Sequence, residues 1–243
     1  MSARVAGATA LRVLWQLRHD PRTIVLLLGV PCALVALLKY VFLDSPVFDR
    51  IGGPLLGLFP FVSMFLVTSI TVLRERTSGT LERLMTMPLH KLDLLLGYAG
   101  AFALLAAVQA GLVSALAFGA LDLDVSGEPW AVIVLAVGNA VLGMAFGLFV
   151  SAFARSEFQA VQFMPAFVFP QILLCGLLAP RDRMADVLEA VSWALPLTYA
   201  YDALDRVTRG VYGSRLAWDV VAVLALTLLA LLLGALTLRR RTP

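Results

Sequence analysis

Charge is scarce in this chain. Only 14% of its 243 residues are Asp, Glu, Lys or Arg, and 60% are hydrophobic. Soluble domains carry roughly a quarter charged residues and about half apolar ones, so a water-soluble enzyme and a disordered chain are both excluded. Cysteine is scarce too. Cys32 and Cys175 are the only two, and each sits inside an apolar run. That excludes a disulfide-stapled secreted domain and reads as two inert packing thiols. The two histidines, His19 and His90, have no metal-ligand neighbour at useful spacing, and no H-E-x-x-H occurs. A zinc intramembrane protease is therefore disfavoured. There is no G-x-S-x-G around any serine and no G-x-x-x-x-G-K-[ST], so this chain does not bind ATP through a P-loop. The net charge of +3 is too small to point to a nucleic-acid partner. The interiors of the apolar runs hold no carboxylate, which argues against a proton-coupled carrier.

What the chain has is apolar length. Six runs reach the roughly 20 residues a helix needs to cross a bilayer, at about 23–42, 54–73, 92–121, 130–153, 158–179 and 216–238. Backbone polar groups in lipid must be satisfied within the segment, so these are helices. Long continuous runs exclude a barrel of short alternating strands. The first run is too long for a signal peptide, follows a basic segment of about twenty residues and has no small-residue cleavage site after it. The expected fold is an all-α integral membrane protein, one domain over 1–243, with six spans.

Charge sets the expected orientation. With six spans both termini share a side, which then carries twelve basic residues against five acids. The opposite side carries six basic residues against eleven acids, and Lys39 lies within the first span. Basic excess in short loops marks the terminal side as cytoplasmic. Lys39 sits near the outer end of its span, where it can snorkel or serve as a functional charge.

Three segments outside the spans carry pattern. Residues 1–22 are basic and partly amphipathic: Leu11, Leu14 and Trp15 can share a helical face with Arg12 and Gln16 turned away. This is either a topology-fixing tail or an in-plane interfacial helix. Between the second and third spans, Gly79 can cap a helix whose first turn holds Glu82, a carboxylate suited to the helix dipole. Leu81, Leu84 and Met85 form one apolar stripe, and Pro88 ends the helix. A helix of about two turns is unstable alone and needs a surface to dock on, either its own membrane domain or a groove on a cytoplasmic partner. The third segment, 180–215, reads as a pair of short outer helices. Met184, Val187, Leu188, Val191 and Leu195 form a stripe, Pro196 breaks it, and a second helix begins near Thr198. With the aromatics Trp193, Tyr199 and Tyr201, this is either a structural cap or an exit gate.

The polar residues at bilayer depth are neutral: Gln109, Ser114, Asn139, Gln162 and Gln171. They either stitch helices together or line a route for an amphiphile. Ala103, Ala107, Gly111, Ala115 and Gly119 repeat every four residues in the third span, and Gly143 and Gly147 form G-x-x-x-G in the fourth. Both patterns let helix backbones approach.

Two motifs then carry a resemblance. Glu75, Gly79-Thr80-Leu81-Glu82-Arg83-Leu84 and Pro88-Leu89 follow the second span. Leu195-Pro196-Leu197-Thr198-Tyr199-Ala200-Tyr201-Asp202-Ala203-Leu204 precedes the last. In that order, over nearly the whole chain, they resemble the membrane subunit of ABC-2 type exporters. The resemblance implies a permease that pairs with a second permease copy, identical or a paralogue, and docks on two separate ATPase subunits that bind ATP and Mg²⁺. The segment matching Gly79–Thr86 would be the coupling helix, with Leu81, Leu84 and Met85 as buried contacts and Glu82 and Arg83 as polar anchors. The lead-in helix would lie along the inner leaflet and touch the ATPase. Substrate would leave past an outer gate at Leu195, Pro196, Tyr199 and Tyr201. The compact outer segment resembles that of small drug or antibiotic exporters. Two readings from other classes stay open: a scaffold or sensor that couples ligand binding to an ATPase without translocation, and an intramembrane enzyme with an unfamiliar site.

If both cysteines lie in spans, Cys32 and Cys175 will label slowly with membrane-impermeant maleimide in intact cells. Rapid labelling of either places that residue on an aqueous cavity and reassigns its span.

Overall fold

The computed structural model describes residues 3–43, 45–80 and 91–237, and among these every regular element is helical. The helices are α1 (Ala3–Arg18), α2 (Pro21–Val41), α3 (Val47–Thr77), α4 (Lys91–Gly119), α5 (Pro129–Ser151), α6 (Glu157–Leu174), α7 (Asp186–Ser192), α8 (Pro196–Thr208) and α9 (Ser214–Thr237). A 3₁₀ turn at Arg181–Arg183 precedes α7. Five of the helices are long and apolar enough to cross a membrane: α2, α3, α4 over Leu96–Gly119, α5 and α9.

Local chemistry sets the ends. Asp20 caps α2: its carboxylate accepts from the Thr23 amide at 3.2 Å and the Thr23 hydroxyl at 2.7 Å. Pro21 then occupies the first turn, where no amide is needed. Ser156 caps α6 by accepting from the Gln159 amide at 3.2 Å. α3 starts several residues before the expected span and runs for 31 residues despite Pro54 and Pro60. The expected fifth span, 158–179, is realised as α6 alone. It ends at Leu174, two residues before Gly176, whose φ of +107° breaks the helix. Glu157, three glutamines and two prolines dilute its hydropathy, so it is not among the five.

α3 is the axis of the bundle. It packs most extensively on α5 and also touches α2, α4, α6 and α8. Gly143 and Gly147 make the α3–α5 contact possible: a Cβ on either would run into the backbone carbonyl of Phe61 or Phe65. The neighbour of the G-x-x-x-G motif is therefore α3 of the same chain. The small-residue repeat in α4 is different. Among the described residues a Cβ on Gly111 or Gly119 would meet nothing within 4 Å, and the buried face of α4 is instead Phe102, Ala106, Gln109, Ala110, Val113 and Ala117.

α1 docks on α4, with Thr9 against Gly97. The Leu11 and Trp15 edge is not the side of α1 that meets the bundle. Thr9, Val13 and Leu17 are buried, while Leu11 and Trp15 are exposed and Arg12 turns inward. The choice follows from packing: Gly97 admits only a close approach, and the Thr9–Val13–Leu17 side of α1 supplies it. The outer segment forms the expected pair of short helices, and burial is divided unevenly between them. Val187, Leu188 and Val191 of the α7 stripe are exposed. The buried element is α8, opened by Pro196 in its first turn, with Leu197, Leu204 and Val207 inside. Gly53 and Gly57 of α3 make room for Thr208 and Leu204 of α8.

Gly143→Leu is expected to cost about 1–3 kcal/mol, because the added side chain meets fixed backbone. Gly111→Leu, with open space at its Cβ, is expected to stay within about 0.5 kcal/mol. Thermal unfolding of both purified variants in detergent checks the contrast, and equal midpoints would refute it.

Candidate functional site

Three features stand out, one along the side of the bundle and one at each end. Along the side, α2, α3 and α6 enclose a groove of about 610 Å³. Its walls are apolar, with Val30 and Leu34 from α2, Phe59, Val62 and Leu66 from α3, and Phe169 from α6. Polarity is limited to the hydroxyls of Thr23, Ser63 and Thr71 and to Arg74 at one end. Ser63 already donates to the Phe59 carbonyl at 2.9 Å. Arg74 is engaged by Glu157 through two bonds of 2.7 and 2.9 Å, and these hold the Glu157 carboxyl below its usual range. The groove therefore suits an apolar ligand that brings few hydrogen-bonding groups and no charge needing a partner.

The basic end gathers the termini of α1, α3, α4, α5 and α6. Arg12 reaches from α1 to both carboxylate oxygens of Glu75 at 3.2 Å and to the Tyr98 hydroxyl at 2.7 Å. Arg76 donates to the Ser151 carbonyl at the C-terminus of α5, where a cation suits the helix dipole. The α3 helix stops at Ser78. Gly79 follows with φ +72° and Thr80 is already helical. The remainder of the sequence-derived docking helix, Leu81, Glu82, Arg83, Leu84 and Met85, lies outside the described residues.

At the opposite end, Arg181 pairs with Asp202 and its guanidinium stacks over the Trp193 ring at 4.4 Å. Burial pushes the Asp202 carboxyl up, and Arg181 opposes that shift. Arg206 holds Asp219 of α9 at 3.1 Å. Leu195 is the cap position of α8 and Pro196 its first residue. The Tyr199 hydroxyl donates to the Trp193 carbonyl at 2.6 Å, and Tyr201 lies against Gly176. These four residues sit together as a packed corner between α6, α7 and α8. Lys39 lies in the last turn of α2 with its ammonium 4.8 Å from the centre of the Phe48 ring.

The buried amides do different things. Gln109 donates to the Leu27 carbonyl at 2.6 Å, tying α4 to α2. Gln171 donates to the Phe167 carbonyl and accepts from the Leu197 amide at 3.2 Å, tying α6 to α8. Asn139 is buried against Gly57, and its Oδ1 has no protein partner among the described residues. Gln162 is exposed on α6. None of the four lines the groove. No local pattern signals the Arg12–Glu75–Tyr98 cluster or the Arg181–Asp202 pair, whose members are tens of residues apart.

Comparison with known proteins places these features. The chain is 28% identical over 167 residues to the probable multidrug ABC transporter permease YbhR of Escherichia coli K12, covering 69% of this chain and 44% of that one. It is 26% identical over 169 residues to ABC transporter G family member 20 of Dictyostelium discoideum, covering 69% of this chain and 23% of that protein. The inner membrane transport permease YhhJ of Escherichia coli K12 is 23% identical over 154 residues, with 63% and 41% covered. The chain thus spans less than half the length of these curated relatives. A family model described as ABC-2 type transporter matches residues 6–207. With that match over most of its length and its bundle of apolar helices, the chain belongs to the ABC-2 type transporter family.

Proposed function

We propose that the chain is the membrane permease subunit of an ATP-driven exporter, and that it moves an amphiphilic compound out across the cytoplasmic membrane. The groove between α2, α3 and α6 carries this reading. It is large enough for a drug-sized molecule, apolar along its length, and two of its three helices, α2 and α3, are long and apolar enough to cross a membrane. Its chemistry favours a drug, antibiotic or lipid-like compound with an apolar body. The names of the relatives, multidrug and transport permeases, agree with that.

The reading includes α6 as a sixth crossing, with both termini in the cytoplasm and the basic end facing it. It also includes a second permease copy. Pro165 and Pro170 lack amide hydrogens, so the carbonyls of Val161 and Ala166 lose their helical donors. Both residues and Gln162 lie on the exposed side of α6. Polar groups at that depth favour protein or water over lipid, and a paired copy across the groove supplies both. The energy comes from ATP and Mg²⁺ on two ATPase subunits that are separate chains. Residues Gly79–Thr86 couple to those subunits, and the corner at Leu195, Pro196, Tyr199 and Tyr201 gates the outer exit.

Several experiments test the reading. Purification from native membranes in mild detergent should yield a stoichiometric ATPase subunit. Glu82→Lys combined with Leu84→Asp should abolish transport-linked ATP hydrolysis while the amount of protein in the membrane holds. Hydrolysis equal to wild type would reject the coupling assignment. Val62→Trp, which fills the groove, should cut dye efflux from cells by about tenfold, an energy of about 1.4 kcal/mol. Undiminished efflux would move the route elsewhere. A ligand bound but never moved across vesicles would favour a sensor.

A further inference from the structure

Residues Arg74, Glu75 and Arg76 are consecutive at the end of α3, yet each holds a different helix. Arg74 pairs with Glu157 at the start of α6. Glu75 takes Arg12 of α1. Arg76 binds the Ser151 carbonyl at the end of α5. Glu75 is the buried member, with a side chain 8% exposed. It meets Arg12 in a two-pronged geometry that fixes orientation as well as distance. The same Arg12 also donates to Tyr98, in the second turn of α4. Residues 78–90 connect α3 to α4. One guanidinium therefore ties together the two helix roots between which that connection is strung.

We propose that Glu75 is a positioning residue that, through Arg12 and Tyr98, makes α1 and the roots of α3 and α4 one rigid body. This rests on the exporter reading above. A load applied to the 78–90 connection then reaches α3, and with it one wall of the groove, without being lost as relative motion of α1, α3 and α4. The exposed Arg74–Glu157 bridge is the breakable link. It joins this body to α6, the facing wall, so the groove changes width there. The inequality is physical: a bidentate pair whose carboxylate is buried resists separation because that carboxylate has little water to replace its partner, whereas a pair exposed on both sides exchanges freely with solvent.

The test uses the full chain with its co-purified ATPase, in a Cys32→Ser, Cys175→Ala background. Spin labels at Leu11→Cys and Leu96→Cys, both exposed, report α1 against α4. Labels at Leu11→Cys and Val161→Cys report α1 against α6. The expected result is a narrow α1–α4 distance that is the same before and after trapping with ATP, Mg²⁺ and vanadate, while the α1–α6 distance shifts. Glu75→Gln should broaden the α1–α4 distribution and lower the α1–α6 shift. The charge swap Arg12→Glu with Glu75→Arg should narrow it again, which a generally destabilised protein would not do. A moving α1–α4 distance in the unsubstituted chain overturns the proposal and leaves the exporter reading intact. So does a Glu75→Gln distribution as narrow as the parent's, or a swap no better than the single variant. Absence of ATP hydrolysis by the preparation overturns the exporter reading, and this inference falls with it.

Discussion

The fold depends on one backbone-to-backbone contact. Gly143 and Gly147 let α5 lie directly on the carbonyls of Phe61 and Phe65 in α3. In lipid the hydrophobic effect does not drive helices together, so packing and small residues must. That contact fixes α3 at the centre with all other layers arranged around it. Gly53 and Gly57 repeat the device on another side of α3, where α8 settles.

The groove follows from the same arrangement. α3 offers one face to α5 and another to α8. The side bearing Val62 and Leu66 is left to α2 and α6, which pack on it far less extensively than α5 does. α2 has only three buried residues, Leu27, Pro31 and Val35. The helices around the groove are thus the less committed ones, which suits a wall that opens and closes. The polar links at the basic end grade in the same way, from the buried Glu75 to the exposed Glu157.

The opposite end is built for retention. Arg181–Asp202 and Arg206–Asp219 bind the 3₁₀ turn, α8 and α9 with charges that are largely shielded from water. Thr198 and Tyr199 add bonds to the Ser192 and Trp193 carbonyls. Gln171 reaches from α6 to the Leu197 amide at the start of α8. α6 belongs both to this corner and to the groove.

The sequence by itself determined the class, the helices and the family. Apolar runs of bilayer length, Asp20-Pro21 and Ser156 as starts, and the ordered motifs after the second and before the last span were all local signals. Local signals survive because propensity, capping and hydropathy act within a few residues. Only the tertiary structure decided which faces meet. The two small-residue patterns looked alike, yet Gly143 and Gly147 found α3 while Gly111 and Gly119 found no close neighbour among the described residues. The apolar edge of α1 at Leu11 and Trp15 stayed exposed, and Arg12, read as turned away, became the link to Glu75 and Tyr98. Such choices rest on contacts between residues 63 and 86 apart in the chain. No periodicity in the sequence encodes a partner at that distance, because it is the docking of whole helices that brings the side chains together.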